Sequence, residues 1–300
     1  MKAIHKWIPL SLIFLITISC REDDGQSLSN GTSDNDIITI QSTWFKVDYA
    51  RPKTYLIREP RSQQGNVSYL LIGDEQALMI DTGSGENKAE SGNKIKHIVD
   101  QLTSKPVSLL LSHFHFDHNQ NIKEFDHVVF PQLESLEAQV SDDSIYYFSA
   151  EDLFIGSEPR EVKVNKWLPL NTDIDLGNRV IQIINIPGHT DESVAVIDKT
   201  NKMAFLGDYL YNGALFAFDY ADLTKYKKSI QYLIDNLTPD YQLFGAHGEP
   251  QIPFNKLETL QGLLSCITSN TCSSTSTTLW GKPADIYRYE GMSMVIFLNL

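Results

Sequence analysis

Basic side chains are in deficit in this 300-residue chain: 25 Lys and Arg stand against 38 Asp and Glu, a net charge of −13. A surface of that balance repels phosphate backbones, whose capture depends on basic patches, so nucleic acid is excluded as a substrate. Cysteine is scarcer still, at three residues. Two of them, Cys266 and Cys272, have no further Cys or His beside them, which excludes a thiolate metal site there. The apolar stretch from Trp7 to Ile18 is too short to span a bilayer comfortably. An interior linker and a short-period repeat are both missing, and the only low-complexity block is "TSNTCSSTSTT". The length therefore reads as one sizeable domain with a large core.

What is present at the N-terminus belongs to another category. Lys2 and Lys6 precede the Trp7–Ile18 stretch as in a secretory signal, so export is expected. "TISC" resembles the lipobox of a bacterial lipoprotein, with Cys20 as the acylated residue. Thr17 stands where leucine is usual, which leaves ordinary cleavage or an uncleaved anchor open. Glu22, Asp23 and Asp24 resemble the export signals of surface lipoproteins. The expected organisation is a signal over 1–19, a polar tether over 20–36 and one domain over 37–300, anchored to a membrane in the periplasm or at the cell surface. Without Lys2 and Lys6, 23 basic side chains face 38 acidic ones, a net charge near −15. In an exported protein Cys266 and Cys272 read as a small disulfide, the alternative being two free buried thiols.

From Ile37 onward short β-branched and aromatic runs, "TWFKVDY", "TYLIREP", "VSYLLIGD" and "ALMIDTG", predict consecutive antiparallel strands, the last two joined through Gly73–Gln76. Ile95, Ile98, Val99 and Leu102 fall at helical spacing before Pro106, and "VSLLLS" reads as a buried strand. "IKEF" and "LESLEAQV" read as helices on either side of a strand "HVVF". Residues 141–168 have little pattern. Strands return in "RVIQIINI", "SVAVID", "KMAFLGD" and "YQLFGA", helices are expected over 222–237 and 255–267, and "MSMVIFLNL" closes the chain as a strand. The order suggests an α+β fold with two mixed sheets packed together and helices outside.

Within this frame "SHFHFDHN" is the densest chemical signal. His113 and His115 project to one side of an extended backbone, and Asp117 and His118 follow where the chain turns into a helix. Neutral imidazoles and a carboxylate are the ligands that a borderline divalent cation such as zinc prefers. Three more ligand types stand beside glycine at strand ends: His189 in "PGHT", Asp208 in "GDYL" and His247 in "GAHG". Five of the eight histidines are then used, while His5, His97 and His127 have ordinary surface or packing explanations.

Together with Asp81 in "IDTG", these motifs resemble, in order, those of the metallo-β-lactamase-fold hydrolases over almost everything after Ile37. The resemblance implies an αββα four-layer sandwich with the site at one edge of the sheets. It implies that His113, His115 and His189 hold one metal, that Asp117, His118 and His247 hold a second, and that Asp208 bridges them. Asp81 would orient ligands from behind. Two Zn²⁺ are the expected cofactors, with Fe or Mn possible in their place. The pair would share a water acidic enough to act as hydroxide near neutral pH and attack a carbonyl carbon, so no Ser or Cys nucleophile is required.

Asp117, Asp208 and Tyr211 are the expected catalytic residues, Tyr211 matching a tyrosine of lactonase-like and acyl-thioesterase-like members that bonds the substrate carbonyl or leaving group. Asp208 stands where true β-lactamases carry Cys or Ser, although β-lactamase-like amide hydrolysis remains an alternative. Only 38 residues separate Asp208 from His247, too few for the inserted domain of the RNA-processing members. The expected partner is a small carbonyl compound: an ester, lactone or thioester. Two other classes compete, a lipoprotein that binds metal without turnover and an oxygen-consuming, single-iron member. Aromatics in 141–168 and in "ALFAFDYADL" are expected to wall the pocket, and the oligomeric state stays open.

Overall fold

The computed structural model of the protein describes residue 40 and residues 42–90 and 92–298. The expected signal, Cys20 and the tether lie outside the described residues. Among the described residues no helix is long and apolar enough to cross a membrane.

One sheet has seven strands, in the order 46–51, 54–58, 67–72, 77–80, 107–110, 128–131 and 166–168. Its first four strands are antiparallel neighbours and its last three are added in parallel. A second sheet has six, in the order 173–175, 180–185, 194–198, 203–205, 242–244 and 251–252. It is antiparallel apart from the pairing of 203–205 with 242–244.

Alternation along the strands explains the layering. Tyr69 and Leu71 face inward, as do Ile183, Val196 and Phe205, and they meet in a core between the sheets. The intervening Leu70 and Met79 point outward onto Ile95, Ile98, Val99 and Leu102 of the helix Ile95–Leu102. On the far side Ile184, Ala195 and Ala204 point onto Leu223, Tyr226, Ile230 and Leu233 of the helix Asp222–Asn236 and onto the helix Lys256–Thr268. Both faces of each sheet are thus covered, which is why the strands read as continuous apolar runs. The α+β, αββα architecture expected from the sequence is the one observed.

Two regions differ from the expectation. Residues 141–168 contain a small hairpin, Ile145–Tyr147 with Glu161–Lys163, and the strand Lys166–Leu168 that extends the first sheet. The C-terminus builds a separate four-stranded sheet, in which Ala214–Ala217 runs parallel to the expected closing strand, Met292–Phe297. Its other strands are Ser274–Leu279 and Lys282–Tyr289, so part of the low-complexity block is an edge strand. "STSTTL" buries no face, and without apolar alternation a strand leaves no periodic trace. Cys266 and Cys272 form a disulfide, with Cα atoms 5.3 Å apart.

Candidate metal centre

Five chain segments deliver ligand-type side chains, each just after the carboxyl end of a strand: His113 to His118 after 107–110, His189 after 180–185, Asp208 after 203–205, His247 after 242–244, and Asp81 after 77–80. Backbone bonds lock these segments together. Val194 N–H donates to the Ser112 carbonyl at 2.8 Å, and Thr82 N–H to the His118 carbonyl at 2.7 Å. Gly248 N–H donates to Gly65 O at 2.9 Å, which seats the His247 segment on the 62–66 loop. Two glycines permit the close approach. A Cβ on Gly188, at φ 149°, would meet the Tyr226 ring at 2.5 Å, and one on Gly207, at φ 55°, would meet Ser112 at 2.8 Å. Each glycine immediately precedes a residue of the cluster.

The structure brings all seven expected ligands together. His113, His115, Asp117, His118, His189, Asp208 and His247 are between 1% and 8% exposed. Their donor atoms form three overlapping groups, His113/His115/His189, His113/His118/Asp208 and Asp117/His118/His247, within each of which the atoms lie within 4.8 Å of one another. His189 Nε2 stands 3.0 Å from His115 Nδ1, and His118 Nε2 lies 3.4 Å from both Asp117 and Asp208 oxygens. Asp208 also lies 2.9 Å from His247 Nε2, 3.7 Å from His189 Nε2 and 4.0 Å from His113 Nε2. It is therefore the residue common to both ends of the cluster.

Hydrogen bonds on the outer side decide the tautomers of four histidines. His189 Nδ1 donates to the Phe216 carbonyl at 3.1 Å and His247 Nδ1 to the Gln64 carbonyl at 3.0 Å, since carbonyls only accept. His118 Nδ1 donates to Asp81 at 3.0 Å. The Ser112 hydroxyl donates to Asp81 at 2.7 Å and so accepts from His113 Nδ1 at 3.1 Å. In each ring Nε2 is the nitrogen left facing inward. Among the described residues four buried side-chain nitrogen or oxygen atoms have no partner, and three are His113 Nε2, His118 Nε2 and Asp208 Oδ1. Buried polar atoms without partners are costly. A nitrogen and oxygen donor set of this kind, aimed at a common space, fits divalent cations.

The electrostatics point the same way. Burial, then repulsion by neighbouring imidazoles, pushes His113 and His115 well below the ordinary histidine range, and burial also lowers His189. Burial would lower His118 and His247 too, but Asp117 and Asp208 outweigh it and hold both above that range. The two carboxylates are in turn held below the usual range by those imidazoles, against their own burial. Excess negative charge thus draws protons to positions that a cation would fill.

Asp81 sits behind the cluster, its Oδ1 accepting from Ser112 N–H at 2.6 Å and its Oδ2 touching both the Ser112 hydroxyl and His118. Tyr211 lies beside His247, with ring centroids 5.0 Å apart, but its hydroxyl donates to the Ala214 carbonyl. The cluster opens into a cavity of about 140 Å³ whose lining includes His115, Asp117, His189, Asp208, Tyr211 and His247.

Several residues of the site were not singled out from the sequence. Ser112 carries one local signal, its place directly before His113. Asn66, whose side-chain amide donates to the Asp117 carbonyl at 2.9 Å and carboxylate at 3.1 Å, comes 51 residues earlier and has no local signal. Asn119 closes the ligand loop by donating to the Phe114 carbonyl at 2.6 Å.

A sequence profile described as the metallo-beta-lactamase superfamily matches residues 62–247. The acyl-coenzyme A thioesterase MBLAC2 of Bos taurus is 27% identical over 212 residues, covering 64% of this chain and 76% of that protein. The hydroxyacylglutathione hydrolase of Francisella philomiragia is 25% identical over 185 residues, covering 61% of this chain and 62% of that one. In overall fold the chain is similar to the metallo-beta-lactamase from Pontibacter korlensis, with a TM-score of 0.55 and 19% identity over 74% of this chain and 99% of the other.

Proposed function

The chain belongs to the metallo-β-lactamase superfamily, and from that premise we propose that it is a dinuclear metallo-hydrolase cleaving an ester, lactone or thioester. The observation that carries the reading is the convergence of two three-ligand groups about the carboxylate of Asp208. His113, His115 and His189 would hold one cation, Asp117, His118 and His247 the other, and Asp208 would serve both. Zinc suits the donors best. The resemblance to thioester-cleaving relatives supports a carbonyl substrate.

When bound, such a pair supplies Lewis-acid activation of water and of the substrate carbonyl. The rest follows from the chain itself. Ser112, Asp81 and the carbonyls of Gln64 and Phe216 fix four imidazole planes, so the donor atoms need no reorganisation. Asp117, steadied by Asn66, lines the cavity and is placed to orient an attacking water by accepting a hydrogen bond from it. Water adds across the acyl bond, giving a carboxylic acid and an alcohol or thiol. Tyr211 would have to exchange its bond to Ala214 before donating to substrate, so it is assigned the smaller part.

The purified, metal-loaded protein is to be tested on aryl esters, lactones, thioesters and a β-lactam. Turnover of the first three classes is expected, and its loss in Asp208→Asn separates a catalyst from a metal-binding protein, which has no turnover to lose. For residues 1–36 the proposal is a cleaved signal and an acylated Cys20 that tethers the domain to a membrane, supported by the sequence pattern. Metabolic labelling with a radiolabelled fatty acid tests it: label should enter the wild type and be absent from Cys20→Ala.

A further inference from the structure

The cavity over the metal centre is lopsided. One side carries Gln64, Asp117, Tyr211 and His247, and the other carries Phe154, Ile155, Phe216, Phe218 and Trp280. The apolar side is built largely by the C-terminal sheet. Phe297, buried on the closing strand, stacks on Phe216, Phe218 and Trp280 at 6.2, 5.6 and 5.9 Å. Phe154 lies 4.9 Å from Phe218 and 5.4 Å from Trp280. The wall runs directly into the ligand set, since the Phe218 ring is 5.1 Å from His115 and 5.4 Å from His189.

Trp280 is the telling member. It sits with Gly281 in the two-residue turn joining Ser274–Leu279 to Lys282–Tyr289, and both turn residues have positive φ, 49° and 78°. Such a turn favours Asn or Asp followed by glycine, and a bulky ring in the left-handed region is uncommon. Trp280 is nonetheless 54% exposed, at the end of the largely polar strand Ser274–Leu279. Part of the ring packs on Phe154, Phe216 and Phe297, and the exposed remainder is apolar surface beside a polar centre, which suits an apolar ligand.

Resting on the hydrolase reading above, we propose that the Trp280 wall is the acyl-binding side of the site and selects a compact apolar acyl group. Size follows from the volume. The cavity of about 140 Å³ is no larger than an engineered cavity that admits benzene (~150 Å³), and the cations and the scissile group would take part of it, so only a short or compact apolar group fits beside them. Phe154, Phe218, His115 and His189 also border a larger adjoining hollow of about 520 Å³, whose lining includes the charged Glu151, Asp191, Lys225 and Lys282. An apolar chain kept against the tryptophan side avoids covering those charged groups, and a much longer one gains little by extending past them.

The test compares 4-nitrophenyl acetate, butyrate, hexanoate, phenylacetate and decanoate on the zinc-loaded wild type, Trp280→Ala and Trp280→Phe. In the wild type kcat/KM rises by up to about fourfold per methylene from acetate to hexanoate and levels off by decanoate. In Trp280→Ala the hexanoate-to-acetate ratio falls at least tenfold, chiefly through KM, and Trp280→Phe recovers most of it. A ratio that is unchanged in Trp280→Ala overturns the proposal, as does a wild type that prefers acetate. If no ester, lactone or thioester is cleaved, the hydrolase reading fails separately, and calorimetric titration with acetate, hexanoate and phenylacetate decides the wall's role. Hexanoate and phenylacetate should then bind at least tenfold tighter than acetate in the wild type alone, and equal binding sinks the inference.

Discussion

Two buried polar clusters hold this domain together, and they are finished differently. Around Arg179 every donor has an acceptor: Nε and Nη2 donate to Asp198 at 2.9 and 2.6 Å, Nη2 to Thr54 at 2.7 Å, and Nη1 to the carbonyls of Lys53 and Ile72 at 2.6 and 3.2 Å. Asp198 is completed by the backbone and side chain of Asn201. The cluster pins one sheet to the other and asks for nothing more. Around Asp208 the outer sides of the rings are equally well tied, yet the inward atoms of His113, His118 and Asp208 are left open. Burial with complete pairing marks a structural tie, while burial with pairing on one side only marks a place built to receive something.

The comparison breaks most visibly in catalysis. Asp208→Asn should lower turnover on the order of 10³-fold or more, because it removes the one carboxylate common to both ligand groups; steady-state kinetics on an aryl ester would read it, and retention of near-normal rates would refute the role. Arg179→Met should do the reverse. It leaves the buried Asp198 carboxylate without its cation and held by Asn201 alone, at a cost of about 3–5 kcal/mol in urea unfolding, while metal content stays as in the wild type.

A finer distinction lies in proton linkage. Asp208 and Asp117 hold His118 and His247 above their ordinary range in the metal-free protein, so a bound cation must expel those protons. Zinc titration at pH 7 should release about one or two protons per chain, and affinity should rise with pH and fall as pH drops. Calorimetry in buffers of different ionisation enthalpy measures the number, and zero release would show that the imidazoles were already free. The smallest effect is expected at Tyr211→Phe, a loss of less than about tenfold in kcat, since its proton already serves the Ala214 carbonyl.

Legibility in the sequence followed locality. The helix Ile95–Leu102 and the strand pair joined through Gly73–Gln76 show their periodicity within a dozen residues, and the structure has both. The ligands at 113–118 were visible because a strand and a following turn present them within six positions. Arg179 was read only as the start of a strand, because its partners lie at 53, 54, 72 and 198 and nothing nearby announces them. Trp280 was missed for a related reason: the polar strand that precedes it has no apolar face, and its aromatic neighbours at 154, 216 and 297 meet only in the fold. Chemistry concentrated in short motifs can be read along the chain, whereas support and specificity drawn from distant segments cannot.

Metal analysis of the natively purified protein, alongside Asp208→Asn and Arg179→Met, tests the central contrast most directly. Two zinc ions per chain are expected in the wild type and in Arg179→Met, with a marked loss in Asp208→Asn. A wild type that retains a single iron, or that turns over substrate with no metal at all, would contradict the account.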